Sequence, residues 1–127
     1  MIQENLIRMY ESSFKENCNL PALTDYFKKE TRTYFDLAKG VAAYHTLFEK
    51  YGIRKGDKIA LIGRNTPKWV MTYIATITYG AVIVPILQDF NPKDITNIVN
   101  HSDSRLLFLS SNIWESLDAS LFEKAEA

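Results

Sequence analysis

From Lys58 onward the chain repeats one unit: a short apolar run, a polar turn, then an amphipathic segment opened by a capping residue and a proline. The openings are Thr66-Pro67 and Asn91-Pro92. A hydroxyl or amide side chain there can accept from the free amides of a first helical turn. Proline at the first helical position lacks only a donor that has no partner in the helix. The runs Lys58–Ile62, Ala81-Val82-Ile83-Val84-Pro85-Ile86 and Leu106–Leu109 are the strand candidates. The second is apolar without alternation, as in a strand covered on both faces of a sheet. Strands alternating with helices at these lengths pair in parallel through right-handed crossovers. The fold class is α/β: a parallel sheet with flanking helices, a partial doubly wound arrangement.

Upstream, Leu6, Ile7, Tyr10 and Phe14 recur at helical spacing, which predicts an N-terminal helix ending near Asn17. Ala22–Asp25 and Thr31–Thr33 are short β-prone runs around a polar turn through Lys28, Lys29 and Glu30, a short β-hairpin. Thr33 followed by Asp36 resembles a capping box with the shorter acid. Leu37, Val41, Tyr44, Phe48 and Tyr51 then share one helical face, until Gly52 and Ile53 stop the helix. Arg54-Lys55-Gly56-Asp57 is a turn. Trp69, Val70, Tyr73, Ile74 and Ile77 fill a wide arc up to Gly80, and Ile95, Ile98 and Val99 form another stripe. Ser110, Ser111 or Asn112 opens a last helix carrying Trp114, Leu117 and Leu121. No repeat, linker or low-complexity tract interrupts the chain, so residues 1–127 read as a single domain.

Charge and motif content narrow the function. Fifteen basic residues balance fifteen acidic ones, so there is no concentrated positive field for nucleic acid and no polybasic membrane anchor. Met1–Asn5 is no secretory leader, and no stretch approaches the roughly 18 apolar residues of a spanning helix. Cys18 is the one cysteine; it can form no internal disulfide, which fits a reducing cytosol, and Asn17 and Asn19 beside it offer no base. His45 and His101 lie far apart without metal-ligand spacing. His45 reads as a partly exposed helix residue and His101 as a cation near helix-terminal carbonyls. The five glycines fit no dinucleotide or phosphate-loop motif. Glu123 and Glu126 read as a solvated pair on the terminal helix. One place invites a ligand. Open α/β sheets bind beyond the carboxyl ends of their strands, where Gly63-Arg64-Asn65 falls. Arg64 could meet an anion and Asn65 fix its orientation; alternatively Gly63 turns the chain, Asn65 supports the cap and Arg64 is solvated. Trp69, Tyr73 and Tyr79, at helical spacing, read as core.

A set of segments matches a known family in order. Thr33-Tyr34-Phe35-Asp36-Leu37 resembles the T-Y-x-E-L helix start of adenylate-forming enzymes. Tyr51-Gly52-Ile53-Arg54-Lys55-Gly56-Asp57-Lys58-Ile59-Ala60-Leu61 resembles their G-[VI]-x-K-G-D-x-V-A segment, and Gly63–Trp69 their x-x-N-S-x-x-W. Tyr79–Pro85 is similar to x-G-A-[VI]-x-V-P, and Ile98–Ser102 with Arg105–Phe108 to the helix–strand pair that follows. Together the segments cover about residues 20 to 110. They resemble the amino-terminal part of AMP-binding acyl-CoA synthetases, most of all the long-chain fatty-acid–CoA ligases.

The resemblance implies a full-length enzyme that uses ATP and Mg to turn a fatty acid into an acyl-adenylate and then passes the acyl group to coenzyme A. The family's phosphate loop, aromatic-Thr-Glu motif, ribose-binding aspartate and C-terminal lysine have no counterparts in these segments. No catalytic, cofactor-binding or metal residue is therefore assigned to this chain, and by itself it is expected to be inactive. Phe122–Ala127, read as part of the last helix, has no closing residue, so the chain reads as an N-terminal subdomain fragment. The longer enzyme is expected to be cytoplasmic with peripheral membrane association. Alternatives are a stand-alone, non-catalytic α/β interaction domain and a small flavodoxin-like or receiver-type protein. A truncated domain exposes apolar surface, so self-association into a homo-oligomer is expected.

Overall fold

The computed structural model describes residues 5–125. Helix α1 spans Leu6–Glu16 and is followed by strands β1 (Pro21–Asp25) and β2 (Glu30–Thr33). Then come α2 (Tyr34–Lys50), β3 (Lys58–Ile62), α3 (Pro67–Tyr79), β4 (Val82–Ile86), α4 (Pro92–His101), β5 (Leu106–Leu109) and the short α5 (Ser111–Trp114). The β1–β2 hairpin is antiparallel and stands apart from a three-stranded parallel sheet of order β4-β3-β5. This is the α/β arrangement expected from the alternation, with the N-terminal helix and hairpin ahead of it.

The caps explain why the elements start where they do. Thr33 Oγ1 accepts from the Asp36 amide at 3.1 Å while the Asp36 carboxylate accepts from the Thr33 amide at 2.9 Å, a reciprocal capping box. Thr66 accepts from the Trp69 amide at 3.2 Å and Asn91 from the Asp94 amide at 2.9 Å. Two helices end in the same way. Gly52 and Gly80 take φ of +69° and +94°, a left-handed conformation that costs glycine little. The following amides, of Ile53 and Ala81, then turn back onto the carbonyls of Phe48 and Thr76 at 2.9 and 3.2 Å.

The sheet separates two apolar clusters. Ile59 and Leu106 face Val41, Phe48, Ile74 and Ala75 of α2 and α3. On the other face, Ala60, Ile62 and Leu107 meet Ile95 and Val99 of α4. Alternate residues of β3 thus point to opposite layers. Helices α2 and α3 approach closely: a Cβ at Gly40 would fall on the Met71 side chain. His45 joins the same pair, its Nε2 lying 3.0 Å from both the Ala75 carbonyl and Thr78 Oγ1. A carbonyl only accepts, so Nε2 carries the proton. His45 is a helix-to-helix tie, which its place in the sequence did not reveal.

Three expectations need correction. The run Ala81–Ile86 is not a strand covered on both faces: β4 is an edge strand whose Val82 and Pro85 are exposed. The Val82 amide donates to Asp57 O of the β3 side, so by alternation the position of Pro85, which lacks a donor, points away from β3. Tyr51 lies at the exposed end of α2 rather than in its buried stripe. The last helix stops at Trp114, and Ala119–Leu121 forms only a 3₁₀ turn. Asn100 holds the segment beyond it, its side chain donating to Leu121 O at 2.8 Å and accepting from the Glu123 amide at 3.1 Å. Glu123 is therefore not helical, and Glu126 lies outside the described residues, as do Met1–Glu4 and Ala127.

At the amino ends of β3 and β5, Arg105 Nη1 donates to Gly52 O and to Asp57 Oδ2, both at 3.0 Å. Asp57 Oδ2 also accepts from the Arg54 amide at 2.7 Å. That amide, and then the Arg105 guanidinium, hold the Asp57 carboxyl below its ordinary range. A carboxyl depressed on folding stabilises the fold above its unfolded pKa, and the contribution fades as pH falls through the folded value. Asp57→Asn is expected to cost about 1 kcal/mol at neutral pH and much less in acid. Urea midpoints at the two pH values check this, and equal losses at both would contradict it.

Candidate functional site

The carboxyl ends of the three parallel strands open on one edge of the sheet. Helix α3 leaves β3 toward β4 on one face, and α4 returns from β4 to β5 on the other. The connections that leave β3 and β4 thus pass to opposite faces of the sheet, the kind of crevice where open α/β sheets receive ligands. Two adjoining clefts lie there. A cleft of about 750 Å³ runs between the hairpin tip (Asp25–Lys28), Gly63–Thr66 and the Ile86–Asp89 loop. A second, of about 440 Å³, is bounded by Tyr44, Trp69, Phe108 and Ser110. Gly63, Arg64, Thr66, Trp69 and Gln88 border both.

Arg64 therefore stands where the strand-end rule puts it, on the wall between two cavities. It is not simply solvated. Its guanidinium carbon sits 5.4 Å from the centroid of Phe27 on the hairpin tip, an attraction between a cation and the negative face of a ring. Such stacking leaves the planar fork of N–H donors free at its edge to meet a carboxylate or phosphate. Asn65 lines the larger cleft, but the cap of α3 is made by Thr66, whose amide donates to Arg64 O at 2.7 Å.

The three aromatics of α3 part company. Tyr79 is core: its ring packs edge to face on Phe48 at 5.3 Å and its hydroxyl donates to Ile53 O at 2.9 Å. Trp69 stacks on Tyr73 at 5.5 Å and at the same time borders both clefts, so its helical spacing concealed a wall residue. Phe27, Lys28 and the Leu87–Asp89 loop were also missed, because only tertiary folding brings the hairpin tip beside residues 63–66. A tip of Tyr26-Phe27 between polar neighbours was the one available signal.

Other candidates stay dispersed. Cys18 is half-buried with a free thiol, and His101 ends α4 exposed to solvent. Among the described residues, no three of His, Cys, Asp and Glu gather closely enough to hold a metal ion. Among them, too, no helix is long and apolar enough to cross a membrane.

The 4-hydroxybutyrate–CoA ligase 2 of Metallosphaera sedula is 29% identical over 100 residues, 72% of this chain and 18% of that protein. A putative acyl–CoA ligase of Bacillus subtilis, YdaB, is 30% identical over 93 residues, 73% of this chain and 18% of that protein. The chain thus spans less than a fifth of the length of these curated relatives. In three dimensions it superposes on a Mycobacterium tuberculosis fatty acyl CoA synthetase with a TM-score of 0.82 at 19% identity, over 95% of this chain and 26% of the other. That likeness establishes the shared fold. The family described as AMP-binding enzyme matches residues 10–127, nearly the whole sequence, and the chain belongs to that family.

Proposed function

We propose that this chain is the amino-terminal portion of a long-chain fatty-acid–CoA ligase. In the longer protein a fatty acid reacts with ATP to give an acyl-adenylate and pyrophosphate, and coenzyme A then takes the acyl group. The observation that carries this reading is the family match over residues 10–127 on a chain that spans 18% of its curated CoA-ligase relatives. The long-chain substrate rests on the ordered segments from Thr33 to Phe108 that resemble those ligases. Residues 1–127 serve as one structural unit: the sheet, the helices that cover it, and one wall of a ligand cleft at its carboxyl edge. No catalytic, cofactor-binding or metal role is given to a residue of this chain, and ATP, Mg and coenzyme A are cofactors and substrates of the longer protein. That protein works in the cytoplasm and touches membranes peripherally.

ATP–pyrophosphate exchange tests the proposal. The longer protein is expected to exchange label when given a long-chain fatty acid, and the 127-residue chain is expected to be silent. Exchange by the 127 residues alone overturns the scaffold reading. A longer protein that responds to hydroxybenzoate or 4-hydroxybutyrate but not to a long-chain acid overturns the substrate reading.

A further inference from the structure

The hairpin tip carries the two most exposed large hydrophobic side chains among the described residues, Tyr26 at 83% and Phe27 at 80%. Their rings meet edge to face, 5.7 Å apart, and form one ridge. The backbone beneath is fixed. Asp25 Oδ1 accepts from the amides of Phe27 and Lys28, each at 3.1 Å, and Arg64 braces Phe27 from the cleft side. Lys28 and Lys29 flank the ridge, both exposed and in no ion pair among the described residues. Asp25 turns its charge into the turn, so the charges exposed beside the ridge are the ammonium groups of Lys28 and Lys29; around the whole mouth Lys28, Lys29 and Arg64 balance Asp25, Glu30 and Asp89. Across the mouth of the same cleft stands Leu87, 68% exposed.

A ridge of this size is small for a protein partner. Two aromatic side chains bury about 400 Å² together, near half of the roughly 800 Å² per side of a stable protein interface. A bilayer surface asks for less. Aromatic rings with a polar tip settle at headgroup depth, and adjacent lysines are drawn to anionic lipid. The charge and composition of the tip match that partner. We propose that Tyr26, Phe27, Lys28 and Lys29, with Leu87 opposite, form a membrane-contact surface for anionic bilayers. The rings enter the headgroup layer and the lysine ammonium groups sit among lipid phosphates and carboxylates. Docked in this way, the mouth of the larger cleft opens toward the lipid, where a water-insoluble acid would be found. The proposal locates the peripheral membrane contact suggested above. Its test involves no catalysis, so its failure leaves the ligase reading standing.

Co-sedimentation of the 127-residue chain with vesicles decides it, using phosphatidylcholine alone and phosphatidylcholine mixed with phosphatidylserine. Binding is expected on the mixed vesicles. Lys28→Gln with Lys29→Gln should lower that partitioning about thirtyfold, since each lysine near an anionic surface is worth about 1 kcal/mol. Tyr26→Ser with Phe27→Ser should lower it by about tenfold or more. Leu6→Ser with Met9→Ser, on exposed positions of α1, should leave it unchanged, and circular dichroism confirms that each variant is folded. Three results overturn the proposal: no binding to mixed vesicles, equal loss in the α1 variant, or a wild-type chain whose tip variants change only its self-association in sedimentation velocity. The last would assign the ridge to a second copy of this chain.

Discussion

Phe48→Ala is expected to cost about 3–5 kcal/mol of folding stability, enough to leave a domain of ordinary stability, about 5–15 kcal/mol, marginal. Phe48 is fully buried and one ring holds three elements together. It contacts Tyr44 and His45 on its own helix at 6.2 and 6.4 Å between centroids, Tyr79 of α3 at 5.3 Å and Phe108 of β5 at 6.1 Å. Tyr79 and Phe108 meet it edge to face, a geometry worth a further contribution beyond area. Alanine leaves a void among rings that are held at their far ends, Tyr79 by its hydrogen bond to Ile53, so the site collapses poorly. Urea denaturation with an unchanged m-value checks the figure. A loss below about 1 kcal/mol would show that the α2–α3 layer repacks freely.

Ile95→Ala should produce the second largest loss, about 2–5 kcal/mol. Ile95 is 1% exposed and sits between the sheet and α4, among Ala60, Ile62, Ile86, Val99, Leu107 and Ile113. It shares no cluster with Phe48, and the sheet stands between them. The milder pair Phe48→Leu and Ile95→Val keeps the double variant folded and measurable. Their costs are expected to add within about 0.5 kcal/mol. A larger coupling energy would mean that the strands transmit packing strain from one face to the other.

What the sequence revealed was local, and what it concealed was tertiary. The helix starts at Thr33, Thr66 and Asn91 and the stops at Gly52 and Gly80 need only residues within a few positions of one another, and all five are made as read. The three parallel strands follow from the alternation, whereas their order β4-β3-β5 depends on crossovers that take opposite faces, which emerges only in the folded chain. The last helix was misread because Leu117 and Phe122 do pack on the α4-side cluster, but along a path tied by the Asn100 side chain, twenty-one residues from Leu121. Periodicity records that a residue is buried and not by which route its backbone arrives. Arg64 and Asn65 were placed at the cleft by the strand-end rule. Phe27, Lys28 and Gln88 were not, because the walls of the cleft come from a hairpin and a loop that meet only in the folded chain.

Pro85 bears on how the molecule behaves in a crowd. A bare sheet margin invites foreign strands, since each unpaired amide can recruit a carbonyl from a passing chain. On the outer side of β4 one of those invitations is missing, because the ring of Pro85 occupies the place of the amide hydrogen. A visiting strand would find its ladder broken halfway, so this flank resists cross-β recruitment through covalent chemistry, without needing a lid of other residues.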